Sequence, residues 1–294
     1  IAPLVEGEAL QGIEYAMPVA SAQVKSALLL SGLYAEGPTI LEEPVLSRDH
    51  TERMMLALGV PLHTAGSSVA LDPNAEWSRG WEPFEWHVPG DPSSAAFPLL
   101  AAAMVPGSEV RVEDVCVNPT RTGLFDWLRL VGADITHRPS GHGAGDEPMA
   151  EVRVAHRSIR GSLAGGEIIV RMIDEIPAVC ALAATAQGET EIRDAEELRV
   201  KESDRIATMA RVLQSFGVPC EELPDGLVVR GGAELHGASV DSQGDHRIAM
   251  SAALLGLVAE GETVIEGAEA VDTSFPGFVA LLRALGADIV EERS

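Results

Sequence analysis

Cysteine is scarce: Cys116, Cys180 and Cys220 are the only three in 294 residues. So few and so scattered, they exclude a disulfide framework and a paired-cysteine metal motif, and they suit a reducing compartment, so the chain reads as cytosolic. Basic residues are few as well, with 21 Lys and Arg against 45 Asp and Glu and a net charge of −24. A surface this acidic repels nucleic acid and anionic lipid at long range, which excludes both as main partners. Long apolar runs are missing too. The longest, residues 26–35 and 95–105, fall well short of the ~20 residues a membrane helix needs. The chain opens Ile1-Ala2-Pro3-Leu4, with neither an initiator Met nor the charged start of a signal peptide, so a fragment of a longer protein is expected. What remains is ordinary: 46% apolar and 22% charged residues exclude disorder, collagen and coiled coil. The length predicts about two domains.

One template recurs four times. Its first half is an apolar helical run, a Gly turn and a short strand, with the turns at Gly37, Gly107, Gly188 and Gly261. Its second half is an amphipathic helix ending in Leu58-Gly59-Val60, Val131-Gly132-Ala133, Phe216-Gly217-Val218 or Leu285-Gly286-Ala287. The first glycines lie 70, 81 and 73 residues apart, too long a period for a solenoid and right for a βαβαββ unit. In the third unit Ile206, Met209, Val212, Leu213 and Phe216 form one stripe of a 3.6-residue period that should face a core. The first-half helices, with Ala27-Leu28-Leu29-Leu30 and Ala252-Ala253-Leu254-Leu255, are apolar nearly all round and should be buried. A Pro- and Trp-rich stretch around Trp77, Trp81 and Trp86 separates units one and two. The division expected is therefore residues 1–88, the remnant of a first domain, and 89–294, a second domain of three units.

Polar residues gather where helices begin. Asp91, Ser93, Asp204 and Asp245 are good N-caps, and Ser21 is another. Lys201 and Arg205, four apart, could share a solvated face with Glu202 and Asp204, and His246-Arg247 could be a surface pair. Against these bland readings stands the charge balance. Arg48, Lys201, Arg205 and Arg247 all occupy loop-to-helix junctions of a strongly acidic chain, where helix N-termini favour an anionic ligand. Asp174 and Glu202 add carboxylates that mere anion binding does not require but proton transfer does. The pattern reads as a catalytic site.

Five segments in order carry a family resemblance: Pro18-Val19-Ala20-Ser21-Ala22-Gln23, Ser47-Arg48-Asp49-His50-Thr51-Glu52, Gly90-Asp91-Pro92-Ser93-Ser94, Leu198-Arg199-Val200-Lys201-Glu202-Ser203-Asp204-Arg205 and Asp245-His246-Arg247-Ile248. Together they resemble the 5-enolpyruvylshikimate-3-phosphate synthases, a family of enolpyruvyl transferases. The resemblance implies an α/β fold of six βαβαββ units in two domains, an inside-out α/β barrel, of which this chain would hold four and its first domain would be incomplete. It implies transfer of the enolpyruvyl group of phosphoenolpyruvate to the 5-hydroxyl of shikimate 3-phosphate with release of phosphate, by a cytoplasmic protein that is a monomer when full length. By the same resemblance, Asp174 deprotonates the hydroxyl, Glu202 handles the methylene proton and Lys201 stabilises developing charge. Arg205 and Arg247 clamp phosphoenolpyruvate in bidentate fashion, Ser21, Gln23, Ser47 and Arg48 hold shikimate 3-phosphate, and His246 lies near the phosphoenolpyruvate.

The chain departs from the family pattern in three places. Ala22 stands where many members have a second Ser, Thr273 where some have a Lys, and His50 where others have an aromatic. No organic cofactor is implied, and the eight His show no metal-ligand spacing with Cys or Asp. Two alternatives stay open: a UDP-N-acetylglucosamine enolpyruvyl transferase, and a non-catalytic ligand-binding fragment that needs its N-terminal part for activity.

Overall fold

The structure is a computed structural model that describes residues 9–75 and 83–292. The opening tetrapeptide, Trp77 and Trp81 lie outside the described residues. The chain separates into two compact units. Unit 1 comprises Ile1–Pro89, Cys116–Arg121 and Gly141–Met149, and unit 2 comprises Gly90–Val115, Thr122–Ser140 and Ala150–Ser294.

Unit 1 carries one complete repeat: β1 (Glu14–Ala16), α1 (Ala22–Gly32), β2 (Thr39–Glu42), α2 (His50–Ala57), β3 (Leu62–Ala65) and β4 (Ser68–Leu71). Its strands lie in the order β1-β2-β4-β3, with β1 and β2 parallel and β2-β4 and β4-β3 antiparallel. Leu29 and Leu33 at the end of α1, Met55 of α2, and Leu41, Leu62, Val69 and Leu71 of the sheet form its core.

Unit 2 repeats the plan around α3 (Pro92–Met104), β5 (Glu109–Cys116), α4 (Gly123–Leu130), β6 (Asp134–His142) and β7 (Pro148–Ala155). Here the first strand is reduced to a parallel bridge between Gly90 and Val115. The third repeat runs β8 (Leu163–Ala164), α5 (Glu167–Val170), α6 (Ile176–Ala184), β9 (Glu189–Ile192), α7 (Arg205–Ser215), β10 (Cys220–Leu223) and β11 (Gly226–Arg230). Its sheet order, β10-β11-β9-β8, is the topology of unit 1 again. The fourth runs β12 (Ser239–Asp241), α8 (His246–Gly256), β13 (Val264–Glu266) and α9 (Phe278–Ala284), and β12 and β13 pair in parallel.

The two glycines that punctuate each repeat have one physical cause. Gly37, Gly107, Gly188 and Gly261 have φ of 78–100°, and Gly59, Gly132, Gly217 and Gly286 have φ of 75–102°. That left-handed conformation strains any residue with a Cβ. The helices α3, α6 and α8 pack against one another, and all nine residues of α6 are buried. This is the inside-out arrangement, with apolar helices in the middle and small open sheets around them. The amphipathic stripe of α7 is buried at all five positions.

The expectation that every first-half helix is buried all round needs correction at α1. Leu30 is 53% exposed, and only Lys25, Leu29 and Gly32 of α1 are buried. The reason is packing: α1 lies on its own sheet, whereas α3, α6 and α8 have one another. Among the described residues no helix is long and apolar enough to cross a membrane.

Leu41 has no exposed surface at the centre of the unit 1 core. Truncating it should cost about 2–5 kcal/mol, from lost transfer energy and the cavity left behind. Denaturant melts of Leu41→Ala against the parent check this; a loss under about 1 kcal/mol would show that the core collapses freely.

Candidate active site

The residues singled out from sequence fall into two clusters, one in each unit. The cluster of unit 2 is built on four junctions. Asp174 sits in a 3-10 turn, Ile173–Glu175, that runs into α6. Lys201 ends another 3-10 turn, Glu196–Val200. Arg205 opens α7 behind the N-cap Asp204, whose side chain accepts from Ala207 N. His246 and Arg247 open α8 behind Asp245, which accepts from Arg247 N.

These junctions converge. Asp174 Oδ1 lies 3.6 Å from Arg205 Nη1 and 3.9 Å from Lys201 Nζ, and Oδ2 lies 4.0 Å from Arg247 Nη2. Arg247 Nη1 donates to the main-chain carbonyl of Asp174 at 3.0 Å. One carboxylate, 15% exposed, thus faces three cations from two other segments of the chain. Lys201 also bonds Glu197. Glu202, half-exposed, accepts from Arg205 Nη2 at 2.6 Å.

Arg205 is the organising cation. Its side chain is 1% exposed, and Nε donates to Asp245 Oδ2 at 2.8 Å, where Asp245 has no exposed surface. Ser203 Oγ donates to the same oxygen at 3.0 Å. Burial alone would raise the Asp245 carboxyl, but the Arg205 guanidinium, the Ser203 hydroxyl and the Arg247 N–H hold it below its ordinary value. Desolvation first, and then the adjacent Arg247, lowers the pKa of His246, which favours a neutral imidazole. With Nε and Nη2 already bonded, only the buried Nη1 of Arg205 lacks a hydrogen-bond partner. That nitrogen faces Asp174 Oδ1 at 3.6 Å.

In unit 1, Ser21 caps α1 by accepting from Val24 N, and Gln23, on the exposed first turn, follows it. Ser47 is buried; its Oγ donates to Glu43 Oε1 at 2.5 Å and its N to Glu43 Oε2 at 3.4 Å. Lys25, 1% exposed, lies 2.7 Å from Glu43 and 2.6 Å from Glu52, so the α1 turn and the Ser47 loop are tied through one buried cation. Arg48 beside it is partly exposed. A cavity of about 420 Å³ in this unit is lined by Lys25, Glu43, Asp49, Glu52, Arg53 and Asp146, but not by Ser21, Gln23, Ser47 or Arg48.

Two connections escaped the sequence reading. Glu43 and Asp245 orient Ser47 and Arg205; the sequence marks Asp245 as an N-cap before His246-Arg247, but not as the counter-ion of Arg205. The other is a polar hub in unit 1. Asn118 Nδ2 donates to Asp49 Oδ1 at 2.6 Å and to Glu147 Oε2 at 2.9 Å, and His50 Nδ1 pairs with Glu147 Oε1 at 2.6 Å. Burial opposes the ionised form of Glu147, yet His50, Asn118 and Arg53 together hold its carboxyl below the ordinary value. Burial and the Glu147 charge push the nearby Cys116 thiol up to about 11. Of the departures noted above, Thr273 ends a 3-10 helix and bonds Ala270 O, and Ala22, at the start of α1, brings no hydroxyl.

Known proteins share this architecture. The profile of the family described as EPSP synthase (3-phosphoshikimate 1-carboxyvinyltransferase) matches residues 1–282. The chain belongs to the EPSP synthase family. The 3-phosphoshikimate 1-carboxyvinyltransferase of Desulforudis audaxviator (strain MP104C) is 50% identical over 287 residues, covering 97% of this chain and 66% of the relative. That of Geobacter sp. (strain M21) is 50% identical over 282 residues, covering 96% and 65%. A solved EPSP synthase from Acinetobacter baumannii superposes with a TM-score of 0.85 at 41% identity, covering 95% of this chain and 64% of that one. The chain thus spans just under two thirds of the length of these EPSP synthases.

The Asp245 pair yields a pH expectation. Its folded pKa lies below the ordinary 3.8, so the stability it contributes is fully present above that value and is lost as pH falls through the folded one. Asp245→Asn should destabilise at pH 7 and flatten the acid limb of a stability-against-pH curve. Denaturant melts from pH 7 to pH 2 check it, and parallel curves for variant and parent would contradict it.

Proposed function

We propose that this chain carries most of an enzyme that transfers the enolpyruvyl group of phosphoenolpyruvate to the 5-hydroxyl of shikimate 3-phosphate and releases phosphate. Family membership across residues 1–282 supports the reaction class. The observation that carries the reading is the single Asp174 carboxylate facing Lys201, Arg205 and Arg247. Such a site offers a base among charges that can hold two anionic metabolites.

In this reading Asp174 takes the proton of the attacking hydroxyl. Lys201, within reach of it, stabilises charge as the tetrahedral intermediate forms. Glu202 delivers and removes the proton at the methylene carbon, its carboxylate fixed by Arg205 Nη2. Arg205 and Arg247 clamp the carboxylate and phosphate of phosphoenolpyruvate through charge-assisted hydrogen bonds. Neutral His246 is a further hydrogen-bond partner beside them. Ser21, Gln23, Ser47 and Arg48 receive shikimate 3-phosphate, within a first domain of residues 1–88 joined to a second of 89–294. The enzyme works in the cytosol as a monomer and uses no cofactor.

A positioned acid or base contributes typically ~10²- to 10⁴-fold in rate. Asp174→Asn and Glu202→Gln should each lower turnover by about that factor while leaving the melting curve nearly unchanged. Phosphate release, assayed with shikimate 3-phosphate and with UDP-N-acetylglucosamine as acceptors, checks the reaction and the acceptor together. Turnover near the parent rate in either variant would remove its assigned role. A second reading rests on the 64–66% coverage of the relatives: the chain binds these ligands and needs further polypeptide for turnover. Calorimetric titration beside the rate assay separates the two, and turnover by the chain alone would end the second.

A further inference from the structure

His50, Cys116 and Glu147 come from three separate stretches of unit 1, and their donor atoms all lie within 4.8 Å of one another. No spacing in the sequence announces this, since the three are 66 and 31 residues apart. They form a mixed nitrogen, sulfur and oxygen set. Such a set suits a borderline divalent ion such as Zn²⁺, whereas Mg²⁺ and Ca²⁺ prefer oxygen alone. We propose that His50, Cys116 and Glu147 form a three-ligand site for a divalent transition-metal ion, with a fourth position open to solvent on the His50 side.

The geometry of the hub supports the site in three ways. First, one carboxylate already receives the other two donors: His50 Nδ1 stands 2.6 Å from Glu147 Oε1, and the Cys116 thiol donates to Oε2 at 3.6 Å. An ion at that focus replaces two proton bridges. The thiol proton leaves to solvent as the Cys116–metal bond forms, and the imidazole carries its proton on Nε2 while Nδ1 binds. Second, the outer shell is in place. Asn118 Nδ2 bonds Glu147 Oε2 and also Asp49 Oδ1, which fixes the carboxylate that must turn least, and oriented second shells of this kind strengthen metal sites 10- to 100-fold in typical cases. Third, burial is graded as an open site requires. Glu147 and Cys116 are buried, while the His50 side chain keeps 32% of its surface.

Two cations oppose the ion: Arg121, whose charge acts on the Cys116 thiol, and Arg53, whose Nε lies 3.8 Å from Glu147 Oε1. Arg53 is matched by Asp49 at 3.0 Å, and the ligand set itself supplies negative charge to the ion. The site is independent of the reading of unit 2 and needs no substrate.

The test uses the whole chain, stripped with chelator, and Co²⁺ as the probe at pH 7.5. A saturable sulfur-to-cobalt charge-transfer band at one ion per chain, lost in Cys116→Ser and displaced by Zn²⁺, is the expected result. His50→Ala should weaken Zn²⁺ binding at least 10-fold, and it keeps the test decisive if the serine variant fails to fold. The absence of a band at excess Co²⁺, or a band unchanged in Cys116→Ser and so arising from Cys180 or Cys220, overturns the proposal. Unchanged Zn²⁺ affinity in His50→Ala does the same.

Discussion

A guanidinium with 1% of its surface exposed, bonded to a carboxylate with none, is the interaction on which the unit 2 site depends. Taking both charges out of water is costly, and an apolar pair of similar size would often serve stability as well. What an apolar pair could not do is what Asp245 does with its remaining lone pairs. It caps α8 and receives Ser203, so the loop bearing Lys201 and Glu202, the first turn of α7 and the first turn of α8 become one object. Asp174 arrives from a fourth segment, and Arg247 ties it there through its main-chain carbonyl. The positions of Lys201, Glu202 and Arg247 are therefore tied to one buried ion pair.

Capping and chemistry coincide in this arrangement. Asp91, Asp204 and Asp245 do cap their helices, as the plainest reading of their sequence positions holds. Asp245 is at once the counter-ion of Arg205, and Asp204 that of Arg199 at 2.8 Å. Helix starts are where unsatisfied backbone donors gather. A fold that points several of them at one place provides an electrostatic site before any side chain is added. Unit 1 uses another device, in which Lys25 links Glu43 and Glu52 and Glu43 fixes Ser47.

The repeats were legible because their causes are local. A glycine forced into left-handed backbone and an apolar stripe of helical period show in any window of 20 residues or so. The motif residues of unit 2 were legible as types, and their convergence on Asp174 is a tertiary fact. Least legible was what distance in the chain hides. The Asn118–Asp49 and His50–Glu147 bonds join residues 69 and 97 apart, and with them Cys116–Arg121 and Gly141–Met149 fall into unit 1. The one-sided burial of α1 was hidden for a related reason, since composition tells how apolar a helix is and not how many neighbours it meets.

The unit 2 site stands or falls on the coupling of Arg205 to Asp245. A double-mutant cycle of Arg205→Met and Asp245→Leu, read as unfolding free energy in denaturant, measures it directly. The double variant should be more stable than the sum of the two single losses implies by roughly 1.5–3 kcal/mol, because each single variant strands a buried charge. Additivity within about 0.5 kcal/mol would contradict it, since two residues that add independently do not hold a site together.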